Sequence, residues 1–238
     1  MILEFPVFRF AVGLLINIVM GIVAWRAGAV RKSGLEVGIL LGTCIFAAVG
    51  WQGFLILVTF FVLGSVLTRM GYAQKRDMGA AEEQEGARGA SHALANAGFA
   101  ALFAIAYWIL REPMWLLAYV AAFSTAAMDT AGSELGPIFG RRTISLKNLK
   151  PVQPGTEGGV SLEGTIAGLI AAGIVAIVGA FLFLIPMTHV ALVVAGALAG
   201  NLYEGMLGAR RLLSHAWLNA TNTLVGAACA VCLAWLFF

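Results

Sequence analysis

The sequence predicts an all-α integral membrane protein, a polytopic helix bundle of about seven or eight transmembrane helices. Of its 238 residues, 61% are hydrophobic and only 11% are charged, whereas a soluble domain carries about a quarter charged residues. Long uncharged runs approach the roughly 20 apolar residues that a helix needs to cross the hydrocarbon. The alternating pattern of a membrane β-barrel is absent, which leaves helices as the spanning structure.

Uncharged runs predict eight spans in one membrane domain over residues 1–238. The glycines and cysteines of the chain agree with a bundle of packed membrane helices. The 29 glycines suit helices that approach closely, and the three cysteines fall in apolar runs, which indicates packing rather than metal binding. No cleavable signal peptide is expected. The second, third and fifth spans are short, and whether the second and third cross fully is left open. The spans are 8–29, 35–50, 52–68, 93–110, 113–128, 163–185, 187–203 and 217–237.

Charged residues gather on one side of this predicted bundle. With eight spans and the N-terminus outside, 13 of the 15 basic residues lie in cytoplasmic segments, and only Arg9 and Arg111 do not. This agrees with the positive-inside rule. Ten of the twelve acids lie on or next to the same side. Because acids accompany the bases, we expect a working cytoplasmic face formed by two active-site loops, 69–92 and 129–162.

The segment "AMDTAGSELG" places carboxylates and a hydroxyl at the end of the fifth predicted span. If it stays helical, Asp129 and Ser133 share a face and Glu134 lies adjacent. These are hard oxygen ligands, suited to Mg²⁺ held jointly with phosphate oxygens. We therefore predict Asp129 and Glu134 as metal ligands and, with Ser133 and Glu157, as catalytic residues. An ordinary helix exit with solvated acids is the alternative.

The segment "PVQPGTEGGVSLEGT" indicates a phosphate-binding loop. Gly155, Gly158 and Gly159 permit positive φ and close approach of a ligand to the backbone, and Thr156 and Ser161 add hydroxyl donors. The sixth span follows at once, so its N-terminal amides favour an anion. The segment is not a P-loop, because no lysine follows the glycines. A flexible hinge is the alternative reading.

Basic and polar residues near these segments complete the predicted nucleotide site. Arg142, Lys147 and Lys150 precede the glycine loop, and such cations neutralise phosphates. Contacts with anionic lipid headgroups would explain the same charges. Asn96 lies one turn inside the fourth span and is expected to face the bundle interior. The predicted phosphate-binding set also includes Lys75 and Arg88.

A polar pocket for substrate is predicted where the last two spans meet the same boundary. Asn201 and Glu204 leave the seventh span, and Asn219 and Asn222 enter the eighth. Because these residues come from different spans at one level, they are expected to converge. Hydrogen bonds that only hold helices together are the alternative.

Three segments of the chain together resemble a polytopic membrane family long catalogued as a domain of unknown function, which includes the plant phytyl-phosphate kinase of tocopherol synthesis and bacterial, archaeal and animal relatives. Its S-D-T-x-x-S-E-x-G pattern falls on 128–136, its V-x-x-G-T-x-G-G/A-V-S loop on 152–161, and its R-x-x-x-x-x-x-A-N segment on 88–96. Met128 stands where the family has serine. Glu204 and Gly205 replace the aspartate and serine that relatives often carry.

The resemblance implies a membrane-embedded lipid kinase. Such an enzyme transfers the γ-phosphoryl group of a nucleoside triphosphate, CTP in related lipid kinases, to phytyl, geranylgeranyl or farnesyl phosphate, with Mg²⁺ as cofactor. The implied partners are the nucleotide, the isoprenyl monophosphate and the bilayer, with no nucleic acid; a homo-oligomer is compatible. A lipid-phosphate cytidylyltransferase, which releases pyrophosphate, and a transporter of an anionic solute or lipid are the alternatives.

Overall fold

The computed structural model describes residues 4–79, 87–210 and 213–237. Part of the predicted active-site loop 69–92, including the acidic segment "AEEQEG" at 81–86, is outside the described residues, as is Arg211, which was counted on the cytoplasmic side. Nine α-helices, one short 3-10 helix (Met187–His189) and one two-stranded sheet are described. They are α1 (Glu4–Arg26), α2 (Lys32–Val49), α3 (Trp51–Arg69), α4 (Tyr72–Asp77), α5 (Ala90–Leu110), α6 (Met114–Phe139), β1 (Thr143–Ser145), β2 (Gly159–Ser161), α7 (Leu162–Phe181), α8 (Val190–Gly208) and α9 (His215–Phe237).

Seven helices in the described part of the chain are long and apolar enough to cross a membrane: α1, α2, α3, α5, α7, α8 and α9. This confirms the predicted all-α membrane bundle. The short predicted spans 35–50 and 52–68 correspond to α2 and α3, which both meet this criterion and are joined by a turn at Gly50 with φ of 83°. The remaining predicted span, 113–128, lies within α6, which also carries Asp129 and Glu134.

Helix α6 is the centre of the bundle and contacts α3, α5, α7, α8 and α9. Every residue from 116 to 128 is buried. The Tyr119 hydroxyl donates to the Gly53 carbonyl (2.6 Å), and the Phe123 ring packs on Phe60 with centroids 5.5 Å apart. Because its neighbours surround α6, its polar side chains face protein rather than lipid, where they would be costly.

Helix α6 also extends further than the sequence predicted. It has 26 residues and ends at Phe139, so residues 129–139, which were assigned to the second active-site loop, continue the helix of the fifth predicted span. The two glycines in this part lower helix propensity, but they face α7, so packing compensates. Pro137 lies in the last turn, where a proline that lacks an N–H does little harm to a helix about to end.

The polar connections between the helices meet at one end of the bundle. Val30 pairs with Arg88 in a parallel bridge, and Arg69 Nη2 donates to the Ala27 carbonyl (2.7 Å). The glycine loop abuts Ala209, directly after α8. The structure thus assembles the charged segments on one face. The assignment of that face to the cytoplasm stays a prediction from the positive-inside rule.

Cysteine labelling tests this topology. In a background without the three native cysteines, we expect Arg76→Cys and Lys147→Cys to react with an impermeant reagent only from the cytoplasmic side. Both positions are exposed. Phe183→Cys, at a position 93% exposed beyond the other end of α7, is the control and should react only from the opposite side. Labelling of positions 76 and 147 from different sides would contradict the single working face.

Candidate active site

A cavity of about 320 Å³ lies where the ends of α6, α7 and α8 meet the β1–β2 hairpin and the start of α9. Its walls come from segments far apart in the sequence. Many of the predicted site residues line this cavity, and they come from three of the four sequence regions that were singled out; the segment around Arg88 contributes none. They are Asp129, Ser133, Gly155, Thr156, Glu157, Gly158, Gly159, Ser161, Asn201 and Glu204.

A seam of glycines between α6 and α7 positions the first part of this cavity. A Cβ on Gly164 would lie 3.0 Å from both the Gly132 carbonyl oxygen and the Gly136 Cα. Small residues of this kind let membrane helices approach until their backbones touch. As a result, Asp129 and Ser133 lie beside the first turn of α7.

The N-terminus of α7 faces the cavity and is capped by Ser161. The Ser161 Oγ accepts a hydrogen bond from the Gly164 N–H (3.2 Å), and Thr165 Oγ1 donates to the Ser161 carbonyl (2.9 Å). The remaining first-turn N–H groups and the positive end of the helix dipole favour an anion here. Ser161 was predicted to donate a hydrogen bond to phosphate. It also has a structural role, because its Oγ accepts the hydrogen bond that caps α7.

The glycine-rich segment forms a hairpin loop held against the end of α8. Strands β1 and β2 are antiparallel, with Thr143 opposite Ser161. Gly155 and Gly158 have φ of 82° and 72°, in the left-handed region that favours glycine. A Cβ on Gly158 would also overlap the backbone of Ala209. Glycine at 158 is thus required both by φ and by close packing, and it seats the loop over the cavity.

Carboxylates from three separate elements meet in the cavity. The Glu204 carboxyl of α8 interacts with the Asp129 carboxyl of α6, and Glu157 of the loop lies near enough to affect it electrostatically. Glu204 is only 8% exposed. Carboxylates this close repel each other when both are ionised. The arrangement is therefore suited to a bound cation that neutralises them.

Two asparagines of α9 donate hydrogen bonds to the Glu204 carboxylate. Asn222 Nδ2 donates to Glu204 Oε2. With its amide nitrogen turned toward them, Asn219 donates to Glu204 Oε1 (3.1 Å) and to the His215 carbonyl (2.9 Å). Neither asparagine lines the cavity, so the predicted contact of Asn219 and Asn222 with substrate is corrected. Their hydrogen bonds fix the orientation of Glu204 instead.

The cavity fits a divalent cation held jointly with phosphate. Its carboxylates and hydroxyls are hard oxygen ligands of the kind that Mg²⁺ prefers. In the described ranges, no three His, Cys, Asp or Glu side chains are arranged to hold a metal alone, and no described lysine or arginine lines the cavity. Mg²⁺ commonly uses one or two carboxylates and takes its other ligands from water and substrate phosphates. This donor set therefore suits a metal–nucleotide complex.

Glu134 and Lys75 lie outside the cavity and pair with each other. Glu134 follows Asp129 by five residues, which places it about 140° around the helix. Its buried carboxylate pairs with the Lys75 ammonium, which also donates to the carbonyls of Leu67 (3.3 Å) and Thr68 (2.8 Å). The predicted metal role of Glu134 and phosphate role of Lys75 are therefore corrected, because each is engaged by the other inside the protein.

The remaining predicted phosphate-binding residues also lie away from the cavity. Arg88 and Asn96 line a different crevice, between α2, α3 and α5, which corrects their assignment to the nucleotide site. Arg142, Lys147 and Lys150 are exposed on and beside the hairpin. They do not line the cavity, and their role at incoming phosphates stays a prediction.

Sequence reasoning missed several lining residues. His215 lines the cavity, although it is not among the residues predicted for the site from the sequence. Its position as the first residue of α9, level with Glu204 across the α8–α9 connection, was the available signal. Sequence reasoning also missed three glycines, because they carry no functional group and act by letting α6 and α7 approach closely. They are Gly132, Gly136 and Gly164. Spacing of small residues at i and i+4 on α6 was the signal for them.

Substitution of Gly158 tests the loop. We expect Gly158→Ala to weaken nucleotide binding at least about tenfold, roughly 1.4 kcal/mol, because the new Cβ would displace the loop from Ala209. Gly28→Ala is the matched control: Gly28 also has positive φ, 71°, but its Cβ would meet nothing within 4 Å. Equilibrium titration of both purified variants with nucleotide gives the comparison. Equal nucleotide affinities of the two variants would show that the packing of the loop against Ala209 does not matter for nucleotide binding.

Comparisons with known proteins agree with the motif resemblance. The family model described as "Integral membrane protein DUF92" matches residues 15–214. An uncharacterized membrane protein of Synechocystis sp. is 39% identical over 200 residues, covering 81% of this chain and 78% of that protein. Protein VTE6, chloroplastic, of Arabidopsis thaliana is 34% identical over 211 residues, covering 84% of this chain and 63% of that protein.

Similarity extends to archaea, whereas solved structures provide no match. An uncharacterized membrane protein of Methanocaldococcus jannaschii is 28% identical over 222 residues, 92% of this chain and 91% of that protein. No solved structure matches the chain significantly.

Proposed function

This chain belongs to the DUF92 family of integral membrane proteins, and from that premise we propose that it is a membrane-embedded lipid kinase. It would transfer the γ-phosphoryl group of a nucleoside triphosphate, CTP in the first instance, to an isoprenyl monophosphate. The motif resemblance to the family of plant phytyl-phosphate kinase supports this, as does the identity with Protein VTE6.

One observation carries the proposal: Asp129, Glu157 and Glu204 converge from separate elements on a cavity that also receives the N-terminus of α7. Carboxylates alone repel a nucleotide, and a helix N-terminus alone does not hold a metal. Together they suit a triphosphate that carries its own divalent cation. The glycine loop closes over the same space and presents its backbone to the phosphates.

Asp129 and Glu204 are the residues that would hold Mg²⁺, in place of the pair Asp129 and Glu134 expected from the sequence. The bound ion would neutralise charge that develops on the transferred phosphoryl group. Asn219 and Asn222 contribute by keeping the Glu204 carboxylate oriented toward the cavity. Ser133 and Thr165 place hydroxyl oxygens on the two facing helices; because their protons are donated to the carbonyls of Thr130 and Ser161, these oxygens can act as acceptors. Arg142 and the lysines of the hairpin would attract the nucleotide from solution.

The proposed transfer needs no protein base. An anionic oxygen of the isoprenyl monophosphate attacks the γ-phosphorus, and the bond from that phosphorus to the β–γ bridging oxygen breaks. The electron pair leaves with the nucleoside diphosphate, and the other product is the isoprenyl diphosphate. The attacking oxygen is already deprotonated, so the protein has to align two anions and offset their repulsion. His215 lies at the rim but is not required as a base.

The location of the cavity suits a substrate with one polar end. Below the Asp129 level, Met128, Ala172 and Ala197 form an apolar cluster that closes the cavity toward the membrane centre. On the outer side of α7, Leu162, Ile166 and Ile170 are exposed at intervals of four residues, one helix face. We place the isoprenyl chain along this face, in contact with lipid, with its phosphate in the cavity.

A direct assay tests the function. Purified protein is incubated with Mg²⁺, γ-labelled CTP or ATP and a panel of C15 to C20 isoprenyl monophosphates. Label in an isoprenyl diphosphate, with release of nucleoside diphosphate, is the expected result. Release of pyrophosphate with a nucleotide-linked lipid would show a cytidylyltransferase instead. Nucleotide-independent flux of the phosphate in vesicles, without label transfer, would show a transporter.

A further inference from the structure

A leucine is exposed at the tip of the β1–β2 hairpin, outside the active-site cavity. Leu149 is 67% exposed and lies in the turn formed by residues 145–150, called the tip turn below. Its φ of 57° is in the left-handed region, which glycine or asparagine adopts at a lower cost than leucine. A strained conformation of this kind points to a functional constraint. Packing inside the protein does not explain this leucine.

Four hydrogen bonds hold the tip turn in this conformation. The Leu149 N–H donates to the Ser145 carbonyl (2.8 Å), and the Ser145 N–H donates to the Lys150 carbonyl (2.9 Å). The Lys147 N–H donates to Ser145 Oγ (3.3 Å). The Lys150 N–H donates to Asn148 Oδ1 (3.1 Å). The turn therefore presents the Leu149 side chain in a fixed position.

The tip turn lies close to the level at which α8 ends. Leu146, in the turn, packs on α8, because a Cβ on Gly205 would lie 2.7 Å from Leu146 Cδ1. Helix α8 ends at Gly208, so this contact is about 4.5 Å before the end of an apolar helix. The Cα of Leu149 lies within about 11 Å of that of Leu146, the reach of three extended residues. The turn therefore lies at the boundary of the bilayer rather than far out in water.

Positive charges surround Leu149. Lys147 and Lys150 flank it and are exposed, and neither ammonium pairs with a carboxylate of the described residues. Arg141 and Arg142 add two exposed cations at the base of the hairpin. Basic side chains at a membrane surface are attracted by anionic headgroups, and an apolar side chain between them can be buried just below the headgroups. The charge and the exposed leucine together are complementary to an anionic lipid surface.

We propose that the tip turn docks on anionic phospholipids of the adjacent leaflet. Leu149 is inserted below the headgroups, and the ammonium groups of Lys147 and Lys150 bind lipid phosphates. Strand β1 connects the tip turn to β2 through their antiparallel pairing, so this anchor also restrains the hairpin that covers the cavity. Attraction of a nucleotide uses the summed charge of the hairpin, and headgroup contacts do not exclude it. The proposal does not depend on the kinase activity, because docking is measured without nucleotide.

Photoreactive lipids test the docking on the full chain in phosphatidylcholine nanodiscs. The nanodiscs contain phosphatidylglycerol or, separately, phosphatidylcholine that carries a diazirine close to the ester bond of one acyl chain. We expect the peptide with residues 145–150 to be cross-linked at least about fivefold more by phosphatidylglycerol, the effect of one lysine near an anionic surface. High salt should remove this difference by screening. Equal labelling by both lipids at low salt, or no labelling of this peptide, would overturn the proposal.

Variants separate the inserted side chain from the charges. Leu149→Asn removes the apolar group but keeps a residue that tolerates positive φ, so labelling should fall about tenfold while the melting temperature in detergent stays unchanged or rises. Lys147→Gln with Lys150→Gln should remove the preference for phosphatidylglycerol. Met78→Asn is the matched control, at an apolar side chain 39% exposed directly after α4, and should leave labelling of the tip turn unchanged. Labelling of Leu149→Asn at the wild-type level would refute the insertion.

Discussion

Asp129→Asn is expected to lower kcat for phosphoryl transfer by about 10²- to 10³-fold, the usual cost of removing one preorganised group that stabilises transition-state charge. The substitution is isosteric and keeps a polar side chain where α6 meets Glu204. It removes the charge that Mg²⁺ requires. The measurement is steady-state kinetics of the purified variant with saturating Mg²⁺-nucleotide and isoprenyl monophosphate.

The stability of the same variant separates a functional role from a structural one. The carboxyls of Asp129 and Glu204 interact closely, and like charges disfavour the folded state. Without metal, Asp129→Asn should therefore melt at the same temperature as the wild type or higher. Mg²⁺ with nucleotide should raise the melting temperature of the wild type but not that of the variant, because ligand binding stabilises only the state that binds.

Asp77→Asn is the matched control for this experiment. It makes the same chemical change at a side chain that is 76% exposed and lies 3.8 Å from Arg76. Exposed ion pairs contribute little, so kinetics and melting should not change. Wild-type turnover by Asp129→Asn would remove Asp129 from the mechanism. Loss of turnover with a lowered melting temperature would indicate that the residue serves folding.

The fold and much of the cavity could be predicted because their signals are local. Hydrophobic runs specify the helices, and charge bias places their ends. Asp129 and the glycine loop each carry recognisable chemistry within a short segment. Their convergence followed from topology alone, since odd and even spans end at opposite faces. Sequence reasoning could thus bring the "DTAGSELG" and "GTEGGVS" segments to one face before any contact was known.

The partners of the predicted residues could not be found in this way. Glu134 and Asp129 are neighbours in the sequence, but helix rotation sends them to different surroundings, and the partner of Glu134 lies 59 residues away. Glu204 was assigned to the substrate pocket because it leaves the seventh predicted span at the same boundary as Asn201 and the two asparagines of the eighth. Only the packing of α6 against α8 shows that it faces Asp129. Long-range pairing of charges is decided by tertiary packing, which a single sequence does not display.

Arg88 and Asn96 illustrate the same limit for a motif. Their spacing was legible in the sequence, and their chemistry suggested phosphate. The structure places them in a separate crevice between α2, α3 and α5, so they do not line the cavity. Residue type predicts what a site can bind, whereas the arrangement of helices decides which site a residue joins.

Lys75→Met is expected to cost about 3–5 kcal/mol of stability, because it leaves the buried Glu134 carboxylate without its counter-charge. Lys75 is fully buried, and its ammonium is satisfied by Glu134 and two carbonyls at the end of α3. The pair joins α3 and α4 to α6. Thermal and denaturant unfolding in detergent measures the loss, and Arg76→Met, at the neighbouring exposed position, is the control with no expected change.

The double variant Lys75→Met/Glu134→Leu decides what the ion pair contributes. Replacing both partners by apolar groups removes the unpaired charge, and such replacements are often neutral or stabilising. We expect the double variant to recover most of the stability lost by Lys75→Met. If it also recovers turnover, the pair supports the position of α6 and does not touch substrate. If a stable double variant has no turnover, Lys75 or Glu134 takes part in catalysis. That result would contradict their pairing with each other outside the cavity.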